Sequence, residues 1–297
     1  MFTTSRRVAI ATGAALALFA TPLTALAEPA SDATPTAEAS TEAPAATPTA
    51  EASASEATPD PAPAAGTDRG ASDIVTLDLY NLTDVHGHIE PQKDRKTKKI
   101  SESGLPAMNC YLKKAKATNP NSSFTLLGDN IGASPYTSGA LKDNPTIEAL
   151  NTMHPLASTM GNHELDMGQT VFKQRVDGSN PSEFVQTNFP YLAANVDGMR
   201  TWGSGTPYLG EYKLWTSPSG VTVAFIGAIA GDVPYKLSPG TTAGLTFNDP
   251  IAKINTLAKK LKQDGTAQIV IAMLDDDVKN NYPKMSADVD GLMGGDT

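Results

Sequence analysis

Six polar side chains stand in three short clusters: Asp84 and His86, then Asp129, then Asn162, His163 and Asp166. Carboxylate, imidazole and amide groups of this kind suit a divalent cation. Taken singly each has an ordinary structural use, because an Asp after a strand often caps the next helix and a Gly-Asn pair is an everyday turn. Jointly, each cluster falls at a junction between an extended run and a helical one, and that arrangement points to a metal centre. Asp129 has two oxygens and could bridge two ions, lowering the repulsion between them. Asp84 and His86 occupy alternate positions at a strand's end, so strand alternation is expected to aim both at one ion. His88 reads as a loop residue or one that backs the metal ligands without touching the ion, and His154, before Pro155, as a turn residue.

The elements that must position these groups alternate. Ile74 to Leu82 has the β-branched and alternating pattern of a strand and runs into Thr83-Asp84. Leu105, Met108, Leu112 and Ala115 recur at helical spacing, and Phe124 to Leu127 is a second strand that delivers Asp129. Ile147 to Met153 reads as helix and Ala157 to Met160 as extended, leading into Gly161-Asn162-His163-Glu164. A helix over Val171 to Val176, a strand over Tyr191 to Ala194, and a hairpin pairing Tyr208 to Thr216 with Val221 to Ile229 about Ser217-Pro218-Ser219-Gly220 follow. Ile251, Ile254, Leu257, Ala258 and Leu261 mark an amphipathic helix, Gln268 to Leu274 a buried strand and Val289 to Met293 a short last one. Strands alternating with helices argue an α/β layered fold, in which ligands collect at the carboxyl ends of the strands.

Before these elements lie two segments of other character. Arg6-Arg7, an apolar stretch from Val8 to about Phe19 and Ala25-Leu26-Ala27 make residues 1–27 a signal peptide, too short in its apolar part to span a bilayer. Ser5-Arg6-Arg7 faintly resembles a twin-arginine signal, so the export route stays open. Residues 28–72 are Ala, Pro, Thr, Ser and Glu, unable to bury a core, and read as a disordered linker. Secretion or display at the cell surface is expected, with cell-wall association and no transmembrane segment after the leader is removed. The formal charge of -9 becomes -11 once the two leader arginines are lost, which excludes a broad basic surface for duplex nucleic acid. The single cysteine, Cys110, rules out an internal disulfide; of a reactive thiol and an ordinary helix residue the sequence supports the second, since nothing near it marks a lowered pKa.

Asp84-x-His86-Gly87, Gly128-Asp129 and Gly161-Asn162-His163-Glu164-Leu165-Asp166 resemble the motifs of the calcineurin-like metallophosphoesterases, specifically their exported 5′-nucleotidase branch, over about Leu77 to the end. The resemblance implies a layered α-β-β-α sandwich of two mixed sheets flanked by helices, with residues 73–297 forming a metallophosphoesterase domain incomplete at its C-terminal edge. It implies two divalent metal ions and a phosphate-ester substrate such as a nucleotide, attacked in line by a metal-bridged hydroxide. Asp84 and His86 would hold the first ion, Asp129 would bridge, and Asn162 would hold the second. His163 would assist the leaving group, oriented by a hydrogen bond to Asp166 that fixes its tautomer.

Two positions depart from that pattern. Where the family has a lone histidine after a later strand this chain has Asp275, and where it has Gly-His-x-His this chain has Gly295-Asp296-Thr297 and then stops. Decay of the second site is one reading. The other is a ligand swap, favoured because both replacements can coordinate a divalent cation, and it gives an oxygen-rich site of Asp129, Asn162, Asp275 and Asp296 that prefers manganese, magnesium or calcium over zinc. With Asp276 and Asp277 adjacent, that ligand's position is open by one residue. The ending suggests a fragment of a longer product. Two functions compete: an exported hydrolase of phosphate esters, and a surface binding or display protein carrying a degenerate domain. Trp202 and Trp215 are expected to serve packing rather than base stacking.

Overall fold

The computed structural model describes residues 74–199 and 209–296. The expected signal peptide, the linker, Trp202, Tyr208 and Thr297 lie outside the described residues.

Two sheets form the frame. The first joins β1 (Asp78–Leu82), β2 (Ser122–Leu127), β3 (Ser158–Thr159), β4 (Tyr191–Leu192) and β5 (Leu209–Gly210) in that spatial order, all parallel. The second joins β6 (Tyr212–Thr216), β7 (Thr222–Ile229), β8 (Ile269–Asp275) and β9 (Gly291–Gly294), with β7, β8 and β9 parallel and β6 antiparallel to β7. Of these two, only the second sheet is mixed among the described residues, where two mixed sheets were expected; the connections joining β1, β2, β3 and β4 run through helices, and such crossovers return each strand in the same direction. The expected hairpin is present, closed by Gly220 N–H donating to Ser217 O at 2.8 Å, but its first arm is shorter than the sequence suggests. Leu209 and Gly210 pair with β4 in the other sheet, so the chain changes sheets at Glu211.

The core is layered as α/β folds require. Between the sheets pack Leu127, Leu192, Val223, Phe225, Ile271 and Met273. Outside the first sheet lie α1 (Gly104–Thr118), which buries Leu105 and Leu112, then α2 (Asn144–Met153) and α3 (Gln169–Asp177). Outside the second lies α4 (Pro250–Gln263), started by Asp249, whose carboxylate accepts the N–H groups of Ile251 and Ala252 at 2.9 and 3.2 Å. Its buried stripe of Ile254, Leu257, Ala258 and Leu261 is the one its 3.6-residue period calls for, and the three large side chains together contribute about 5–9 kcal/mol of burial. Trp215 packs against the inter-sheet core, and Cys110 is exposed on α1. Among the described residues no helix is long and apolar enough to cross a membrane.

Candidate metal centre

The polar clusters lie at the carboxyl ends of five strands: Asp84 and His86 follow β1, Asp129 follows β2, Asn162 and His163 follow β3, Asp275 ends β8 and Asp296 follows β9. His86, Asp129 and His163 each bring a ligand atom within 4.8 Å of the others. Asp84 Oδ1 stands 4.0 Å from His86 Nε2, and the His86 and His163 rings meet edge to face at 4.8 Å between centroids.

Strand alternation does not explain how Asp84 and His86 meet. β1 has ended at Leu82, and both residues adopt left-handed backbone, φ 52° and 42°, as does Asp129 at φ 47°. A non-glycine residue there carries roughly 1–3 kcal/mol of strain, which persists only where the surroundings enforce it. Here the enforcement is visible: His86 N–H donates to Asp129 O at 2.9 Å and Gly87 N–H to Asn130 O at 3.2 Å, locking the loop after β1 to the loop after β2.

Both histidines are fixed through Nδ1. His86 donates to the carbonyl of Gly132 at 3.0 Å, and His163 donates to Asp166 Oδ2 at 2.8 Å, so each keeps Nε2 free. Burial works against protonation of His163. The Asp166 hydrogen bond and the charges of Asp129, Asp166 and Glu164 outweigh it and raise the imidazole above its ordinary pKa. Asp129, 2% exposed, accepts the His163 N–H at 2.9 Å on Oδ1, and burial raises its carboxyl despite that bond. Gly161 is required beneath it, since a Cβ there would lie 2.2 Å from the same oxygen.

Sequence reasoning gave no role to Glu164, which holds the centre together. It is 2% exposed and accepts the backbone N–H groups of Gly161, Asp129 and Asn130 at 2.7, 2.9 and 3.0 Å, the Asn130 amide at 3.2 Å and the Tyr191 hydroxyl at 3.3 Å. One carboxylate thereby ties the loops after β2 and β3 to β4. Burial and the nearby Asp129 push it up to about 7, even with backbone donors pulling down. Asp143, also missed, accepts from Gly132 N–H at 3.2 Å and Ser138 Oγ at 2.8 Å, steadying the carbonyl that His86 uses. An acid next to the buried Leu165 was the available signal for Glu164; Asp143 had none.

On the second sheet, the structure separates the three consecutive acids. Asp277 caps a helical turn by accepting from Asn280 N–H at 2.6 Å, and Asp276 accepts from Asp277 N–H at 2.7 Å. Asp275, 1% exposed, is the inward one: a Cβ on Gly128 would lie 3.0 Å from its Oδ1. That oxygen has no hydrogen-bond partner, and neither has the buried Oδ1 of Asn162. Burial first, then the charges of Asp129, Glu164, Asp296 and Asp84, push Asp275 up to about 10. Buried oxygens without donors among several carboxylates fit a hard cation. Asp296 is engaged by Lys236. His88 lies 3.6 Å from Glu102 and lines the cavity beside Asp84 and His86, and His154 ends α2 in left-handed backbone. Beside Asp84 and His86 a cavity of about 390 Å³ opens over Leu82, Leu105 and Met108, with Glu102 and Ser103 on its edge.

No family model matches the chain. It is similar to Endonuclease YhcR of Bacillus subtilis, 30% identical over 206 residues that make up 66% of this chain and 17% of that protein. It is also similar to Cell wall protein Lmo0130 of Listeria monocytogenes, 29% identical over 228 residues, 71% of this chain and 29% of that one. The chain thus spans less than a third of the length of these curated relatives. Among solved structures, the NAD nucleotidase of Haemophilus influenzae superposes with a TM-score of 0.61 at 22% identity, over 74% of this chain and 38% of that one.

Proposed function

Because the chain belongs to the calcineurin-like metallophosphoesterase superfamily, within its nucleotidase branch, we propose that it is an exported metal-dependent phosphoester hydrolase acting on small phosphate esters of the nucleotide class. The observation that carries this reading is the cluster of His86, Asp129 and His163, with buried, partnerless oxygens on Asn162, the residue before His163, and on Asp275, against Gly128.

Asp84, His86 and Asp129 would hold one divalent ion, and Asp129, Asn162, Asp275 and Asp296 a second, oxygen-rich site suited to manganese or another hard ion. Bound divalent ions would supply charge for the phosphoryl oxygens and a water more acidic than bulk water. The chain's own contribution is orientation and a proton. His163, held by Asp166 on Nδ1, presents Nε2 from which a proton can pass to a departing oxygen, and its raised pKa favours the protonated form. The cavity over Leu82, Leu105 and Met108 adjoins the first-ion ligands and leaves room for the leaving group. Export is supported by the leader-like composition of residues 1–27, and surface residence by the likeness to a cell wall protein.

The test is release of phosphate from an aryl phosphate by the purified protein with added manganese. His163→Ala should reduce the rate by about 10²-fold or more, and Asp166→Asn by less, since it leaves the imidazole but frees its tautomer. A folded protein that releases no phosphate with any divalent ion would leave the surface binding or display reading in its place.

A further inference from the structure

Three adjacent strands of the second sheet end in charged groups that meet. β7 and β8 are paired so that Ile229 lies beside Asp275, with Ala230 N–H donating to Asp275 O at 3.1 Å. β9 lies on the other side of β8 and leads to Asp296. Beyond β7 the chain makes a single helical turn, Val233–Lys236, which returns Lys236 to the same corner. Its ammonium is ion-paired with Asp296 and 3.6 Å from Asp232, and its side chain is 29% exposed.

Two facts make this more than a surface ion pair. Asp296 is one of the two aspartates that replace histidine at the second-ion positions, and the other, Asp275, is buried with an oxygen that no donor satisfies. An ammonium and a divalent ion compete for the same carboxylate oxygens, and neither binds well where the other sits.

We propose that Lys236 is a tethered cation occupying the second-ion corner through Asp296, so that a second divalent ion binds only by displacing it. This rests on the metal-centre reading above. The substitution of histidine by aspartate and the presence of Lys236 then belong together: anionic ligands leave a carboxylate-rich corner that needs resident charge when only one ion is bound, and a neutral imidazole pair would not. The chain is expected to hold one ion firmly and the second in exchange with its own lysine.

Calorimetric titration of the metal-free full chain with manganese tests it. The unaltered protein should show one tight and one weak site; Lys236→Met should tighten the weak site about tenfold or more while leaving the tight one in place, and Lys236→Arg should resemble the unaltered protein. The double variant Lys236→Met with Asp296→Asn should return the second site to weak binding. A measurement on the unaltered chain guards against misfolded variants: acetylation of Lys236, read by mass spectrometry, should rise severalfold as manganese passes one equivalent and not before. A second site equally strong with Met or Lys at 236, or acetylation of Lys236 that ignores manganese, overturns the inference while the tight site keeps the metal-centre reading alive. Failure to bind any divalent ion overturns both.

Discussion

The two sheets bring acids to one region in opposite states of satisfaction. On the first sheet, Glu164 is 2% exposed and has five donors from Gly161, Asp129, Asn130 and Tyr191. On the second, Asp275 is equally buried and one of its oxygens has none among the described residues, while Asp296 is paired with Lys236. A buried carboxylate costs several kcal/mol unless something compensates it, and the protein supplies that compensation in one place and withholds it in the other. The first arrangement is structural and complete without a ligand. The second leaves a buried oxygen that a bound cation would satisfy.

The largest effect that would break this contrast is at the satisfied acid. Glu164→Leu strands three buried backbone N–H groups, each costing about 1–3 kcal/mol, so a loss of at least about 3 kcal/mol is expected against a typical total of 5–15. Urea denaturation of the metal-free variant measures it. A loss below about 1 kcal/mol would mean that the loops after β2 and β3 do not depend on this carboxylate, and the contrast between the sheets would fail.

The pH dependence sharpens the contrast from the unsatisfied side. Glu164 is raised to about 7 and Asp275 to about 10, so between about pH 5 and 7 the metal-free folded state binds more protons than the unfolded chain. With more protons bound in the folded state, stability falls as pH rises, by up to about 1.4 kcal/mol per pH unit for each extra proton. His163 acts in the same sense above its unfolded value, because its raised pKa makes a contribution that is lost as pH climbs through it. Saturating manganese should flatten the slope by replacing protons with bound charge. Asp275→Asn should remove part of the metal-free slope and most of the manganese stabilisation at the second site. Urea midpoints at pH 5, 6 and 7, with and without manganese, decide the sign, and a metal-free protein more stable at pH 7 than at pH 5 contradicts it.

What the sequence made legible follows the same division. β2, β7 and β8 are long apolar runs, and α4 repeats its buried residues every three to four positions, so the parts of the frame whose signal is periodic were readable before any coordinates. Leu209 and Gly210 were assigned to the wrong sheet because a two-residue strand has no period to read. The strand-end clusters were legible as a group, but the left-handed turns at Asp84 and His86 were not, since residue type leaves φ open and only the hydrogen bonds to Asp129 and Asn130 enforce it. Lys236 was invisible because its partner Asp296 is 60 positions away and no local pattern links them.

The smallest expected effect separates neighbours in the chain. Asp275 and Asp277 are two residues apart and chemically identical, yet one is turned inward and the other caps the turn Val278–Asn281 by accepting from Asn280 N–H. Asp277→Ala should therefore cost about 1 kcal/mol of stability, as loss of an N-cap does, with the number of manganese ions bound unchanged. Asp275→Asn should do the reverse at pH 7. Its folded-state carboxyl is protonated there without metal while the unfolded one is ionised, so the metal-free variant should be more stable than the unaltered chain at pH 7 while the second ion is lost. Paired denaturation and calorimetry on the two variants test the assignment within a stretch of three acids: if Asp277→Ala rather than Asp275→Asn removes the second ion, the inward ligand has been placed two residues early, and the contrast between a satisfied and an unsatisfied acid would have to be redrawn around the cap.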